Sequence, residues 1–201
     1  MSPTTEPLVD ARFCAPHART FTVTITNGWP WRAFTVTDEA RGKAVMRVKA
    51  SMASFCRRYR LVDAASRRTV VTVQHAPSLF VPERRWEAFR GASTSPADLL
   101  FEAVSQPALF INWGEIDVHL AGRDPGERLR QREFVVVCRG PAQCTVRRRK
   151  PDGAAAVVAK IEDTSERRLG YSVSVSPGVD HAFILALTVI LDEMRLDEPR
   201  G

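Results

Sequence analysis

The stretch "PGVDHAFILALTVILDEM", residues 177–194, limits what this chain can fold into more than any other. Its apolar run, Ala182 to Leu191, is ten residues long and contains Thr188, whereas a membrane span needs roughly 20 apolar residues. The segment has helix chemistry: Pro177 and Asp180 lie at the start and Arg195 just past the end, each suited to its end of the helix dipole. Asp192 and Glu193 near the C-terminal end run against that dipole. At about 100° per residue, Phe183, Ile184, Leu185, Leu187, Val189, Ile190 and Leu191 leave no polar stripe wide enough to face water. A helix apolar all round is a buried helix. Enclosing those side chains is worth on the order of 10 to 20 kcal/mol as an upper bound, so the rest of the chain must wrap it.

The rest of the chain reads as short segments of period-two alternation split by turn residues, the punctuation of an all-β fold. "FTVTIT" (21–26) is followed by Asn27-Gly28, a turn signal. "RAFTVTD" (32–38) and "AVMRVKA" (44–50) form a hairpin, as do "RYRLVD" (58–63) and "TVVTVQH" (69–75). "RRWEAFRG" (84–91), "LLFEAVS" (99–105), "EIDVHLAG" (115–122), "REFVVVCRG" (132–140), "CTVRRRK" (144–150), "AAVVAKIED" (155–163) and "YSVSVSPG" in the 170s complete eleven or twelve strands. About eight strands close on an interior that side chains alone fill, while about eleven leave room for a helix of about 10 to 12 Å diameter. The expected architecture is mainly β: a closed antiparallel barrel of about twelve strands around a central C-terminal hydrophobic helix. Residues 1–20 are expected as a flexible N-terminal segment, 21–194 as one domain and 195–201 as a polar tail.

At 201 residues the chain suits one domain. The formal charge of +6 points to anionic partners such as lipid headgroups, an acidic protein or nucleic acid. Arginine far outnumbers lysine, and its fork matches phosphate. The anion-binding candidates are Arg57, Arg58 and Arg60, and Arg147, Arg148, Arg149 and Lys150. Further basic pairs stand at Arg67-Arg68, Arg84-Arg85 and Arg167-Arg168. Alternation sends Arg147 and Arg149 to one face and Arg148 and Lys150 to the other. The competing reading is that these charges keep a barrel soluble. Trp29 and Trp31 form an aromatic loop that either inserts at a membrane interface or packs on a barrel end; Trp86 and Trp113 read as core or rim.

Cys14, Cys56, Cys138 and Cys144 lack CxxC spacing, and no apolar leader precedes them. They are expected as thiols in a reducing compartment, cytoplasm or nucleus. The alternative is a hairpin at "RGPAQ" that brings Cys138 to Cys144. His17, His75, His119 and His181 stand alone, so no metal and no cofactor is expected. Ser174, Ser176, Asp180 and His181 cluster in sequence without a nucleophile-elbow motif, and read as a helix cap rather than a catalytic set. No phosphate-cradling glycine loop is present.

"RAFTVTDEARGKAVMRV", "YRLVDAASRRTVVTVQ", "RRWEAFRG" and above all "YSVSVSPGVDHAFILALTVILDEM" resemble the plant LURP-one-related family, in the tubby C-terminal-like superfamily, from about Phe21 to Met194. The resemblance implies a twelve-stranded barrel around its C-terminal helix, a non-enzymatic binding or signalling role associated with plant defence, and kinship in fold with tubby proteins and phospholipid scramblases. Departures from the family pattern fall at Asp38 to Gly42, at Ser66, and at Glu162 and Asp163, where the family tends to carry basic residues. No lipid-binding residue carries over. The expected partners are phosphoinositide-containing membrane surfaces or an acidic protein, with a monomeric chain peripheral at the plasma membrane. The alternatives are a nucleic-acid-associated transcriptional regulator and a scramblase-like lipid handler.

Overall fold

A computed structural model of the chain describes residues 7–27, 32–51, 56–76, 84–105, 114–121, 131–139, 143–149, 153–164 and 170–196. Twelve strands are formed: β1 (Arg19–Asn27), β2 (Arg32–Asp38), β3 (Lys43–Ala50), β4 (Arg58–Asp63), β5 (Thr69–His75), β6 (Arg84–Arg90), β7 (Leu99–Ser105), β8 (Glu115–Leu120), β9 (Gln131–Arg139), β10 (Gln143–Arg149), β11 (Ala155–Asp163) and β12 (Gly170–Val175). Each pairs antiparallel with its sequence neighbours, and β1 pairs with β12, which closes the barrel. Closure leaves no open sheet edge. One helix, α1 (His181–Leu196), threads the interior.

Alternation does the sorting. Phe34 and Val36 on β2, Met46 and Val48 on β3, Leu61 on β4, Val71 and Val73 on β5, Phe101 and Ala103 on β7 and Val173 on β12 point inward and are buried. Along the regular stretches their neighbours face out, because successive side chains on a strand point to opposite faces; Val70 and Leu100, where the register shifts, are buried as well. Phe183, Ile184, Leu185, Leu187, Val189, Ile190 and Leu191 are each at most 3% exposed, so the helix is covered on all sides by its own chain. Phe183 meets Phe101 edge-on at 5.1 Å and Phe134 at 5.0 Å. Thr188, the one polar residue of the apolar run, donates its hydroxyl to the Ile184 carbonyl at 2.9 Å.

The hairpins β2–β3, β4–β5, β6–β7, β8–β9 and β10–β11 each carry a register shift. Such bulges bend and twist a strand, and these lie toward the end where α1 begins. Two glycines fix the geometry there and opposite. In the turn Ser176 to Val179, Pro177 is followed by Gly178 at φ +73°, the position that demands glycine, and the Val179 N–H returns to the Ser176 carbonyl at 3.3 Å. At the other end a Cβ on Gly170 would stand 2.9 Å from the Val23 carbonyl oxygen, so only glycine lets β12 approach β1 there.

Three expectations need correction. Residues 7–18, assigned to a flexible lead-in, hold Val9 and Phe13 buried against the core, with a 3-10 turn over Ala11–Phe13 and β1 starting at Arg19. Isolated apolar residues in a polar stretch have no period to betray them. Arg195, assigned to a polar tail, is 8% exposed because α1 continues to Leu196. Cys138 and Cys144, read as thiols, are joined by a disulfide; they face each other in register across β9 and β10, both on the inward parity.

Candidate functional site

Where α1 begins, a strap of residues 8–14 closes the barrel. Asp180 caps the helix: its Oδ1 accepts from the Ala182 and Phe183 N–H groups at 3.0 and 3.3 Å. Its Oδ2 accepts from Val9 and Asp10 in the strap at 2.7 and 3.2 Å. Burial raises the Asp180 carboxyl above the ordinary range, and these four backbone donors pull it partly back. Arg90 donates to the Val9 carbonyl at 2.6 Å, and Arg12 lies 3.4 Å from Asp63. The His181 ring sits between Phe13 and Phe21 at 5.2 and 5.0 Å. Burial first, then the Arg19 charge, lowers His181 to about 4, so it is neutral near pH 7. Ser174 faces solvent on β12. The sequence cluster of Ser, Asp and His is thus a capped and clamped helix start.

Where α1 ends, Asp192 and Glu193 find the partners that the helix dipole denies them. Asp192 accepts from the Tyr171 hydroxyl at 2.6 Å and from Arg32 at 2.5 Å. Glu193 accepts from the Tyr59 hydroxyl at 2.8 Å and has Arg57 at 3.5 Å. Burial pushes both carboxyls up, against the hydroxyl bonds and arginine charges that favour ionisation. Arg84 donates to the Met194 carbonyl at 3.0 Å, satisfying one of the orphan acceptors of the last turn. Arg195 lies over the Tyr171 ring at 5.4 Å and donates to Cys144 Sγ at 2.9 Å.

The outer face of β3 and β4 is built differently. Because Met46, Val48, Tyr59 and Leu61 point in, Arg47 and Lys49 on β3 and Arg58 and Arg60 on β4 point out. Register sets Lys49 directly against Arg60 and Arg47 against Val62. Like charges directly opposite on paired strands are destabilising. Arg67, in the β4–β5 turn, is held at φ +56°, a left-handed conformation that costs a non-glycine residue on the order of 1 kcal/mol or more. Arg47, Lys49, Val62, Asp63, Ala64 and Arg67 line a surface groove of about 370 Å³. Its one carboxylate among the described residues, Asp63, is already engaged: partial burial works against ionisation, but the Ser66 hydroxyl at 2.8 Å, the Ala65 N–H at 3.1 Å and Arg12 keep it below its ordinary range. Among the described residues no carboxylate pairs with Arg47, Lys49 or Arg60, and the Arg60 Nε is buried without a hydrogen-bond partner.

The basic runs singled out in the sequence do not converge. Arg57 turns to Glu193 and lies 5.6 Å over Trp86, which makes it part of the mouth at the end of α1. Arg58 donates to Gln74 at 2.9 Å, and Arg60 alone of the three stands opposite a groove cation, Lys49, with its Nε buried and unpartnered. Arg148 pairs with Glu133 at 2.6 Å and covers Phe134. Arg147 and Arg149 take the opposite, outward parity on β10, which stands across the barrel from β4. Lys150, Trp29 and Trp31 lie outside the described residues. Arg67 stood among the basic pairs of the sequence, whereas Arg47 and Lys49 were missed because neither belongs to a run of basic residues; their outward parity in "AVMRVKA" was the available signal. No helix among the described residues is long and apolar enough to cross a membrane.

The model of the LURP-one-related family matches residues 19–192. Protein LURP-one-related 10 of Arabidopsis thaliana is 29% identical, over 95% of this chain and 97% of its own. LURP-one-related 15 of the same plant is 27% identical, over 95% and 87%. A crystal structure of an Arabidopsis thaliana protein superposes with a TM-score of 0.67 at 29% identity, covering 94% of this chain and 98% of the other. With all twelve strands and the enclosed helix as far as Asp192 within the matched span, the chain belongs to the LURP-one-related family.

Proposed function

We propose that this chain is a non-enzymatic binding module that recognises phosphate-bearing anions on the outer face of β3 and β4, with phosphoinositide headgroups of a membrane surface as the physiological source. The observation that carries this reading is Lys49 set against Arg60 beside Arg47 and Arg67, at a groove where Asp63, the one carboxylate among the described residues, is already engaged. A protein tolerates opposed like charges where an anion relieves them. The other reactive-looking groups serve the fold: Asp180, His181, Asp192, Glu193 and the two tyrosines are tied into the barrel mouths. Family membership supports a signalling role in plant defence, exercised in the cytoplasm at the inner face of the plasma membrane.

Flotation of the full chain with phosphatidylcholine vesicles, with and without phosphatidylinositol bisphosphate, tests the reading. Binding to the doped vesicles should appear at low salt and weaken at physiological salt, since exposed charges are screened over about 8 Å there. The Lys49→Glu, Arg60→Glu double variant should stay in the unbound fraction. Absence of binding at both salts, or equal binding by the double variant, overturns the site. Retention of duplex DNA with a steep salt dependence, and no vesicle binding, would move the assignment to the nucleic-acid reading.

A further inference from the structure

We propose that Cys138 and Cys144 form a reversible thiol-exchange site, opened by attack of a low-molecular-weight thiol on Cys138 with Cys144 as the leaving group. This goes beyond the anion-binding reading and does not depend on it. The bond is not needed to hold its hairpin, because β9 and β10 are already laddered from Gln143↔Arg139 to Arg148↔Phe134. The two sulfurs are in unlike surroundings. Cys144 is fully enclosed, and its Sγ accepts from the Arg195 guanidinium at 2.9 Å. Cys138 is 8% exposed and lines a crevice of about 40 Å³ with Ser105, Gly114 and Arg195. Arg195 is itself fixed, in the last turn of α1 and over the Tyr171 ring.

This asymmetry sets the direction of exchange. A thiolate entering the crevice bonds to Cys138 Sγ, the Cys138–Cys144 bond breaks, and its electron pair leaves on Cys144 as a thiolate facing the Arg195 cation. A second thiol then attacks the external sulfur of the mixed disulfide, releasing the oxidised small-molecule disulfide and leaving two protein thiols, so the two electrons come from the small thiols. A cation beside a cysteine lowers its pKa by roughly two units. A thiol of lower pKa leaves faster, and a slope of the size known for attacking thiols, about 0.5, makes that about a tenfold gain in rate. The disulfide state is thereby coupled to the end of α1, because the group that receives the new thiolate is one of the contacts closing that mouth.

The test uses the full chain, air-oxidised, under native conditions. It is exposed to reduced glutathione, quenched with N-ethylmaleimide and mapped by peptide mass. The adduct should sit on Cys138, and the Cys144→Ser variant, given oxidised glutathione instead, should exchange with it and hold the glutathionyl group there, releasing one reduced glutathione. Arg195→Gln should slow opening about tenfold, with Arg195→Lys recovering most of the rate. A purely structural role for Arg195 predicts the opposite sign, since loosening the mouth would expose the bond and speed its reduction. The proposal is overturned by opening only in denaturant, by an adduct on Cys144, by Arg195→Gln reacting as fast as the parent or faster, or by two free thiols in the air-oxidised chain.

Discussion

Asp180 joins two pieces of chain 170 residues apart, the start of α1 and the N-terminal strap, through one carboxylate. Asp180→Ala should cost about 2 to 4 kcal/mol in urea unfolding, the sum of a lost N-cap near 1 kcal/mol and orphaned strap N–H groups at about 1 to 3 kcal/mol. Loss under 1 kcal/mol would mean that the strap contributes nothing to closure. Its neighbour His181 gives a signature in pH. Held at about 4 in the fold against 6.5 for the free group, it binds a proton more readily when the chain is unfolded. Stability from this group is therefore full above pH 6.5, falls as pH drops from 6.5 toward 4 and levels below that, a loss on the order of 3 kcal/mol at most. Asp180, Asp192 and Glu193, all raised by burial, act with the opposite sign, their contribution shrinking as pH rises through their windows. The difference between the parent and His181→Phe isolates the histidine: the variant should lose less stability between about pH 6.5 and 4.5, and parallel curves would refute the assignment.

Burial of α1 on every side makes it the element whose interior tolerates least. Leu187→Ala, at a position 1% exposed, should cost about 2 to 5 kcal/mol, whereas Val157→Ala on the outside of β11, 44% exposed, should stay within about 0.5 kcal/mol. Equal losses in chemical denaturation would mean that the helix is not the centre of the core. The same enclosure explains what could be read from sequence. The helix betrayed itself by lacking a polar stripe, and β2, β4, β5, β7 and β11 run over the residues whose alternation defined them, because a strand with one wet and one dry face must alternate. What joins elements was hidden. Asp192 and Glu193 counted against a helix end until Tyr171 from β12 and Tyr59 from β4 supplied their donors. The parity that separates Arg57 from Arg58 and Arg60 was legible, yet the opposition of Lys49 to Arg60 depends on the register of β3 against β4, which alternation within each strand does not fix.

Across the whole molecule, the formal charge of +6 is not a uniform coat. Arg19, Arg32, Arg57 and Arg148 are matched to Asp38, Asp192, Glu193 and Glu133, while Arg47, Lys49 and Arg60 share one outer face with no carboxylate against them among the described residues. A cluster kept for binding should be a liability for folding, and the two effects can be read on one variant. Lys49→Glu replaces a repulsive cross-strand pair with an attractive one, so the isolated protein should become more stable by about 0.5 kcal/mol at low salt. That gain should fade as added salt shortens the screening length. In the flotation experiment the same variant should bind phosphoinositide vesicles less tightly than the parent at every salt concentration. A variant that is stabilised and still binds equally would place recognition elsewhere on the barrel; one that is destabilised would show that Lys49 and Arg60 do not repel, and the site would lose its physical basis.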